Sequence, residues 1–478
     1  YGEFPGVPER TYVNMVLASA HDAGTVYAAF NNHKSGDFAP YILKSTDRGA
    51  SWTSIAGDLP DRGSVYAIAE DPVDPDLLFA GTEFGVFFTR DGGERWIELS
   101  GLPTIAVRDL AIQERENDLV LATFGRGFWV LDDYTPYRHA TPDVMENDAH
   151  IFPITDALQY IEMERGREYQ GATFFWADNP PFGATFTYWL KDPIRTIEQQ
   201  REAAEREARE AGEPVQYPTF EEMRAEDREQ TPYLLFTITD DDGDVVRRLT
   251  TRPGTGIQRI TWDLRYGAVG PITGGSFNPF DDGGYAPLVA PGTYNVSMAK
   301  VEDGVPTQLV EPVPFQVVPL NNATLATDDR DALVAFQQEA ADLMVEVRTS
   351  MVRLGQVEDR LANAKTAVHQ AGLPVELLAE ARALEERLAE LEIPLQGDPS
   401  VARRQFETPP SISSRVSRVL YSTFNATSAP TGMQRRQLEI AREAFAELQP
   451  TIDGLMRDVD ALEARLEELG APYLGPGG

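Results

Sequence analysis

The sequence predicts a multidomain chain, with β-propeller blades first, a β-sandwich next and a C-terminal α-helical bundle last. Three observations carry this reading. A turn motif recurs 44 residues apart among short strands that repeat about every 43 residues. The middle of the chain alternates apolar and polar residues, and from about residue 327 the apolar spacing becomes helical.

The motif is "STDRGASW" (45–52), which returns as "TRDGGERW" (89–96). Asp47 and Asp91 can accept hydrogen bonds from backbone N–H groups inside a turn, and Gly49 and Gly93 permit a positive φ. Trp52 and Trp96 then open the next strand with a large apolar side chain to bury. These six residues are expected to hold sheets together, so replacing them should unfold the protein rather than inactivate it. Around the motif, "TVYAAF" (25–30), "LLFAGT" (77–82) and "LVLATF" (119–124) repeat as strands, and "GDLP" at 57 is echoed by "SGLP" at 100. Four short strands at this period are the signature of propeller blades. In the second copy, "SVYAIAE" is innermost, followed by "LLFAG", "GVFFTR" and an outermost "WIELS". The first copy is expected to carry a longer loop over 31–40. The third loses the turn motif, reading "LDDYTPYR", and looks terminal.

The two Ser/Thr-x-Asp-x-Gly-x-x-Trp elements resemble the Asp-box (BNR) repeats of sialidases, xyloglucan-active glycoside hydrolases and sortilin-type receptors. The layout of the first 140 or so residues most resembles large bacterial sortilin-like BNR-repeat proteins, often labelled glycosyl hydrolases. That resemblance implies export to the periplasm, the cell surface or the medium. A closed propeller needs about four to eight blades, and residues 1–140 supply three. The chain also opens directly into a blade at "YGEFPGVPERTYVNMVLAS". The expectation is therefore that further blades lie upstream, in the same precursor or in a cleaved partner fragment.

Composition narrows the partners. A formal net charge of −34 argues against nucleic acid or an anionic lipid surface, because phosphate binding depends on lysine and arginine. Five lysines stand against thirty-seven arginines, which fits either a high-salt habitat or a GC-rich genome. The absence of cysteine excludes disulfides, thiol nucleophiles and Cys-ligated zinc. No apolar run of about 18 residues suggests a membrane span.

After a linker at 141–182, an immunoglobulin-like β-sandwich is expected at 183–320. "GATFTYWL" (183–190), "YLLFTITDDDGDVVRRL" (233–249), "GIQRITWDLRYG" (256–267) and "APGTYNVSMAKVEDG" (290–304) supply its strands. The Trp-Asp pair followed by Pro-Gly-Thr-Tyr resembles the immunoglobulin-like domain of flagellar hook-cap proteins. "DDDGD" (240–244) is a hairpin turn rather than a calcium loop, since Thr251 stands where that loop needs Glu. A charged insertion over 191–232 reads as solvated helix, or alternatively as a contact arm for another subunit.

An antiparallel helical bundle is expected at 327–473. Leu343, Val347, Leu354, Val357, Leu361, Ala364 and Val368 share one helix face, and Leu448, Ile452, Leu455, Val459, Leu462, Leu466 and Leu469 share another. Further helices are expected at 374–392, at 411–422 and from about 431, and Pro450 should kink or split the last. The seams can satisfy one another within the chain, or they can support oligomerisation.

Chemistry is sparse. His21, His33, His139, His150 and His369 are scattered, with no His-Glu-x-x-His pattern, and neither a serine-hydrolase elbow nor a phosphate-binding loop is present. No catalytic residue, metal site or cofactor is assigned. Glycoside hydrolysis needs only two carboxylates across a cleft. Glu70, Asp71, Glu83 and Asp109 lie near strand ends where a propeller presents ligands, and Arg62, Arg108 and Arg126 could approach the same channel. Two functions follow: an exported binding or scaffold protein with a protein or glycan ligand, or a glycoside hydrolase whose acid and base lie mainly in upstream blades.

Overall fold

A computed structural model describes residues 4–162, 173, 177–272, 277–281, 284, 286–320, 329–424 and 426–472. The chain forms two compact units: Tyr1–Pro153 with Thr187–Lys191, and Ile154–Phe186 with Asp192–Gly478.

The first unit holds three antiparallel, propeller-like sheets in chain order. The first consists of β1 (Tyr12–Ala18), β2 (Val26–Asn32), β3 (Asp37–Ser45) and β4 (Thr53–Ser54). The second consists of β5 (Val65–Glu70), β6 (Leu78–Thr82), β7 (Gly85–Thr89) and β8 (Ile97–Glu98). The third has three strands: β9 (Val107–Gln113), β10 (Asp118–Thr123) and β11 (Phe128–Leu131). Strands β2 and β6 read as unbroken apolar runs because both faces of the sheet are covered there, so Tyr27 to Phe30 and Leu78 to Ala80 are all buried.

Between β4 and β5, the segment Ile55–Asp58 lies against the turn of the next sheet. A Cβ on Gly57 would fall 2.4 Å from the Glu94 carbonyl oxygen, and one on Gly93 would fall 2.7 Å from both Cβ and O of Ile55. Only glycine lets these two backbones approach so closely. Trp96 closes the junction, its indole N–H donating to the Ile55 carbonyl at 2.9 Å and its backbone N–H to Asp58 Oδ1 at 2.6 Å. The same segment precedes β1 as Phe4-Pro5-Gly6, with Phe4 packed on Phe30 at 4.8 Å and on Trp52 at 5.5 Å between ring centroids.

The expected 31–40 loop is shorter than the sequence suggested. β2 and β3 run on through Asn32 and Asp37, leaving a 3-10 turn at His33–Ser35 and Gly36 between them. The Asn32 side chain donates to Asp37 Oδ2 at 3.1 Å, so polar residues that read as loop satisfy each other on paired strands.

The stretch expected as a linker contains ordered elements: α2 (Pro142–Glu146) follows α1 (Pro136–His139), and then come β12 (Ala149–Ile151) and β13 (Ala157–Gln159). In the first unit, β12 pairs with the end of β14 (Ala184–Leu190), His150 opposite Trp189.

In the second unit, the insertion folds as two helices, α3 (Ile197–Ala211) and α4 (Phe220–Arg228), each with a capping box, and Gly212 ends α3. Arg201 ties them together through Glu226. Strands β15 (Tyr233–Thr239), β16 (Val245–Thr251), β17 (Gly256–Trp262), β18 (Gly292–Glu302) and β19 (Val305–Pro319) follow. A five-stranded sheet runs β13-β19-β18-β15-β16, with β13 parallel to β19, while β14 flanks β17. Ring contacts join the two sheets: Phe186 with Phe315 at 5.2 Å and Trp262 with Tyr294 at 5.4 Å. The Asp240–Asp244 segment is a hairpin turn, with Asp240 Oδ1 accepting the N–H groups of Asp242 and Asp244.

The helices are α5 (Arg330–Gln370), α6 (Glu376–Gln396), α7 (Pro399–Ala402), α8 (Ile412–Phe424) and α9 (Gly432–Glu468). The long ones share one apolar core containing the α5 seam and Ile452, Leu455, Val459, Leu462 and Leu466 of α9. Leu448 packs at its margin, while Leu469 is exposed. Pro450 does not split the last helix, which runs continuously through it. Burial of apolar residues on both sides, Phe445 before and Ile452 after, offsets the lost hydrogen bond.

Two outcomes are expected. Gly93→Ala should lower the stability of the first unit by about 2 kcal/mol or more, against about 1 for Gly49→Ala. Gly49 shares the positive φ, but a Cβ there meets only Trp52, at 3.5 Å. Pro450→Ala should stabilise the second unit by about 1–3 kcal/mol. Thermal unfolding of each variant checks both, and equal losses for the two glycine variants would refute the junction.

Candidate functional site

The strand register sorts the candidate residues onto opposite ends of the three sheets. Val65 pairs with Thr82 and Glu70 with Leu78, so Glu83 lies at the Val65 end and Glu70 and Asp71 at the other. Val107 pairs with Thr123, which puts Arg108, Asp109 and Arg126 at the same end as Glu83. A backbone hydrogen bond joins the first and second sheets at this end, from Gly63 N–H to the Phe38 carbonyl, and Glu83 N–H to the Ser64 carbonyl extends the pairing within the second.

At the Glu83 end, Arg108 links two sheets. Its guanidinium carbon stands 3.8 Å from the ring centroid of Tyr66 and 5.3 Å from that of Phe124. The Tyr66 hydroxyl donates to Glu83 Oε2, and burial together with that bond pushes the phenol up to about 12. Arg62 lies over Phe38 at 5.4 Å, and Lys34 over Tyr12 at 4.6 Å. Arg126 is exposed in the β10–β11 turn, between Phe124 and Phe128, whose relative exposures are 68% and 77%. Phe84 is half exposed in the corresponding β6–β7 turn. Asp109 is exposed, with Oδ1 accepting its neighbour's N–H from Leu110. This end therefore presents phenyl rings and guanidinium groups to solvent.

The opposite end is closed. Glu70 accepts from the Ser19 hydroxyl at 2.9 Å, the Ala20 N–H at 2.7 Å and the Tyr27 hydroxyl at 2.9 Å, tying the second sheet to the first. Asp71 is fully buried and receives Arg138 Nε and Nη2, the Tyr134 hydroxyl at 2.8 Å and the N–H groups of Val73 and Asp74. Burial opposes its ionisation, yet Arg138, the two backbone donors and Tyr134 together hold its carboxyl below the usual range. Arg138 also reaches Asn117 Oδ1 at 2.8 Å, so one buried pair fastens the end of the third repeat to the second sheet.

The turn residues lie at the Glu70 end, since Ser45 pairs with Val26 and Thr89 with Leu78. Asp47 accepts the Ser51 N–H at 2.8 Å and its hydroxyl at 2.6 Å, and these bonds with Ser45 lower its carboxyl to about 2. Asp91 accepts the N–H groups of Glu94 and Arg95, which outweigh the effect of its burial and lower its carboxyl as well. Ser45 and Thr89 complete each turn by accepting the N–H of Gly49 or Gly93 and donating to the aspartate. Trp96 is buried. Trp52 is half-buried, and its indole nitrogen has no partner among the described residues.

Sequence reading missed Tyr66, Phe84 and Phe124. The available signal was a second repeated turn, "TEFG" (82–85) and "TFGRG" (123–127), in which Thr82 and Thr123 donate to the carbonyls of Gly85 and Gly127. No group of three or more His, Asp or Glu side chains among the described residues is placed to hold a metal ion.

No family model matches the chain, and no curated protein matches it. Among solved structures, an ancestral GH74 enzyme is 26% identical over 24% of this chain and 14% of its own, with a TM-score of 0.20. The GH74 xyloglucanase from Xanthomonas campestris is 15% identical over 40% of this chain and 35% of its own, with a TM-score of 0.24. YCF48 bound to a D1 peptide is 19% identical over 26% of this chain and 38% of its own, with a TM-score of 0.21. The chain thus spans well under two thirds of the length of each.

The Asp71 pair makes a pH prediction. A carboxyl depressed in the folded state contributes stability above its unfolded pKa and loses it as pH falls through the folded value. The first unit should therefore lose stability below about pH 4. Asp71→Asn should cost about 3 kcal/mol at neutral pH by stranding Arg138, and should flatten that acid limb. Unfolding midpoints from pH 7 to pH 2 for both proteins test this, and parallel curves would refute it.

Proposed function

We propose that the protein is a binding protein whose ligand surface is the Glu83 end of the three sheets, and that the ligand is a polypeptide segment carrying acidic and apolar side chains. The observation behind this reading is the run of exposed phenyl rings, Phe84, Phe124 and Phe128, interleaved with Arg62, Arg108 and Arg126. Phenyl rings bury apolar side chains, while guanidinium groups pair with carboxylates and also stack on rings. In a chain of net charge −34, a cluster of arginines with rings beside them is a local reversal suited to an acidic partner. Export, implied by the resemblance to surface proteins, is part of the same proposal.

Hydrolysis of a glycan is less well supported. Both oxygens of Glu70 are bonded within the fold, Asp71 is spent on Arg138, and Glu83 receives a phenol. Neither general acid–base work nor nucleophilic attack suits carboxylates held that way.

The test exposes the protein to an array of acidic–aromatic peptides and, in parallel, to a polysaccharide panel with reducing ends measured. Peptide retention that weakens about tenfold in the Arg108→Ala, Phe124→Ala double variant is the expected result. Release of reducing ends that disappears in Glu83→Gln or Asp109→Asn would overturn the proposal in favour of a hydrolase.

A further inference from the structure

Helices α5 and α9 lie side by side in the second unit, and a groove of about 680 Å³ runs between them over Leu343 and Phe445, both buried. Arg442 and Arg353, which line it, are already paired, with Glu339 at 2.6 Å and with Asp453 at 3.3 Å. Asp342 and Glu346 lie between those pairs along α5. Both are exposed, and neither has an ion pair among the described residues. With Ser350 they form a row spaced by four residues, which sets oxygen atoms along one wall about every 6 Å.

Ser350 is the unusual member of that row. It lines the groove, is only 3% exposed, and makes no side-chain hydrogen bond among the described residues. A hydroxyl inside a helix commonly donates to the carbonyl one turn back, as those of Thr366 and Thr423 do here. Leaving a buried hydroxyl without a partner is destabilising, so Ser350 is a group in want of a ligand. The α9 wall offers another acceptor. Pro450 carries no N–H, so the Ala446 carbonyl one turn before it lacks its helix bond, and Ala446 lines the same groove.

We infer that this groove binds a linear aliphatic oligoamine. Its ammonium groups pair with Asp342 and Glu346 and donate to the Ser350 hydroxyl and the Ala446 carbonyl, while its methylenes cover Leu343 and Phe445. One helical turn, about 6 Å, is the distance that about four methylenes put between two nitrogens. A compact metal ion fits less well. The oxygens are strung along the groove, and no three His, Asp or Glu side chains among the described residues converge on one point. Exposed carboxylates alone hold a cation weakly, so selectivity rests on Ser350, whose buried hydroxyl gains a charged donor from the ligand.

Calorimetric titration of the full chain with spermidine at physiological ionic strength tests this. Binding at one site is expected, weakened about fivefold in Ser350→Ala and about tenfold or more in the Asp342→Asn, Glu346→Gln double variant. Pro450→Ala should weaken it about threefold while stabilising the helix, because the new N–H takes the Ala446 carbonyl. Glu443→Gln with Glu447→Gln, both exposed on α9 and outside the groove, should leave the affinity unchanged. Spermidine that fails to bind would overturn the inference, as would an affinity untouched by Ser350→Ala. Equal weakening by the Glu443, Glu447 control, or displacement by magnesium chloride at equal charge, would reduce the binding to general attraction by an acidic chain and overturn it too.

Discussion

The first unit depends on the junction at which Trp96 spans two sheets. A turn that only reversed the chain would need Asp91 and Gly93, with no tryptophan. Here the turn also fixes its neighbour, because the indole N–H and the backbone N–H of Trp96 are both satisfied by the segment leaving the previous sheet. A buried indole without a partner would cost about 1–3 kcal/mol. The bond to the Ile55 carbonyl thus sets the spacing between sheets as well as filling space. Gly57 and Gly93 follow from this requirement, since any side chain at either position would hold the two backbones apart.

With that junction fixed, the two ends of the sheets take different roles. At the Glu70 end, charged groups are consumed by the fold: Glu70 joins sheet to sheet and Asp71 joins sheet to the α1 segment. At the Glu83 end, cations and rings are left in solvent. The second unit treats its charge in a third way. Arg360 pairs with Asp460 and Glu463, Arg387 with Asp458, and Arg465 with Glu380, each linking different helices at the surface. Such pairs are individually worth little. Arginine's planar fork can nevertheless bridge two carboxylates at once, so the pairs select helix register while the apolar core supplies the stability.

Much of the fold was legible because it rests on local chemistry. Asp and Gly mark the turns, continuous apolar runs mark strands covered on both faces, and heptad spacing marks the α5 and α9 seams. The misreadings share one cause, which is that tertiary packing outweighed a local preference. Asn31, Asn32 and Asp37 look like loop, yet they lie on strands, where Asn32 donates to Asp37 and Asn31 donates to Asn14. Pro450 looks like a break, yet the core on either side of it keeps the helix whole. The stretch before β14 looks like a linker, yet three-residue strands need only an existing edge to pair with. The candidate site was half legible. Arg62, Arg108 and Arg126 were named from their place near strand ends, but nothing in composition or spacing distinguished Glu83 from Glu70. That distinction is one of register, since antiparallel pairing sends two residues 13 positions apart to opposite ends of a sheet.

The internal repeats separate architecture from function. Ser45 and Thr89, Asp47 and Asp91, Gly49 and Gly93, and Trp52 and Trp96 recur because each turn must solve the same geometric problem. The turns at the other end share a threonine in the second and third sheets, Thr82 and Thr123, but differ in the side chains around it. They carry His33 and Lys34 in the first sheet, Glu83 and Phe84 in the second, and Phe124 and Arg126 in the third. If those residues served folding, the common backbone geometry would favour a common set of side chains, as it does at the junctions. Their divergence, at positions whose side chains face water, is what a surface needs when each repeat must touch a different part of one asymmetric ligand. The same fold thereby constrains one set of positions through packing and leaves another free for recognition, and Arg108 stands at the boundary. Its contact with Tyr66 belongs to the sheet-to-sheet architecture, while its contact with exposed Phe124 belongs to the surface.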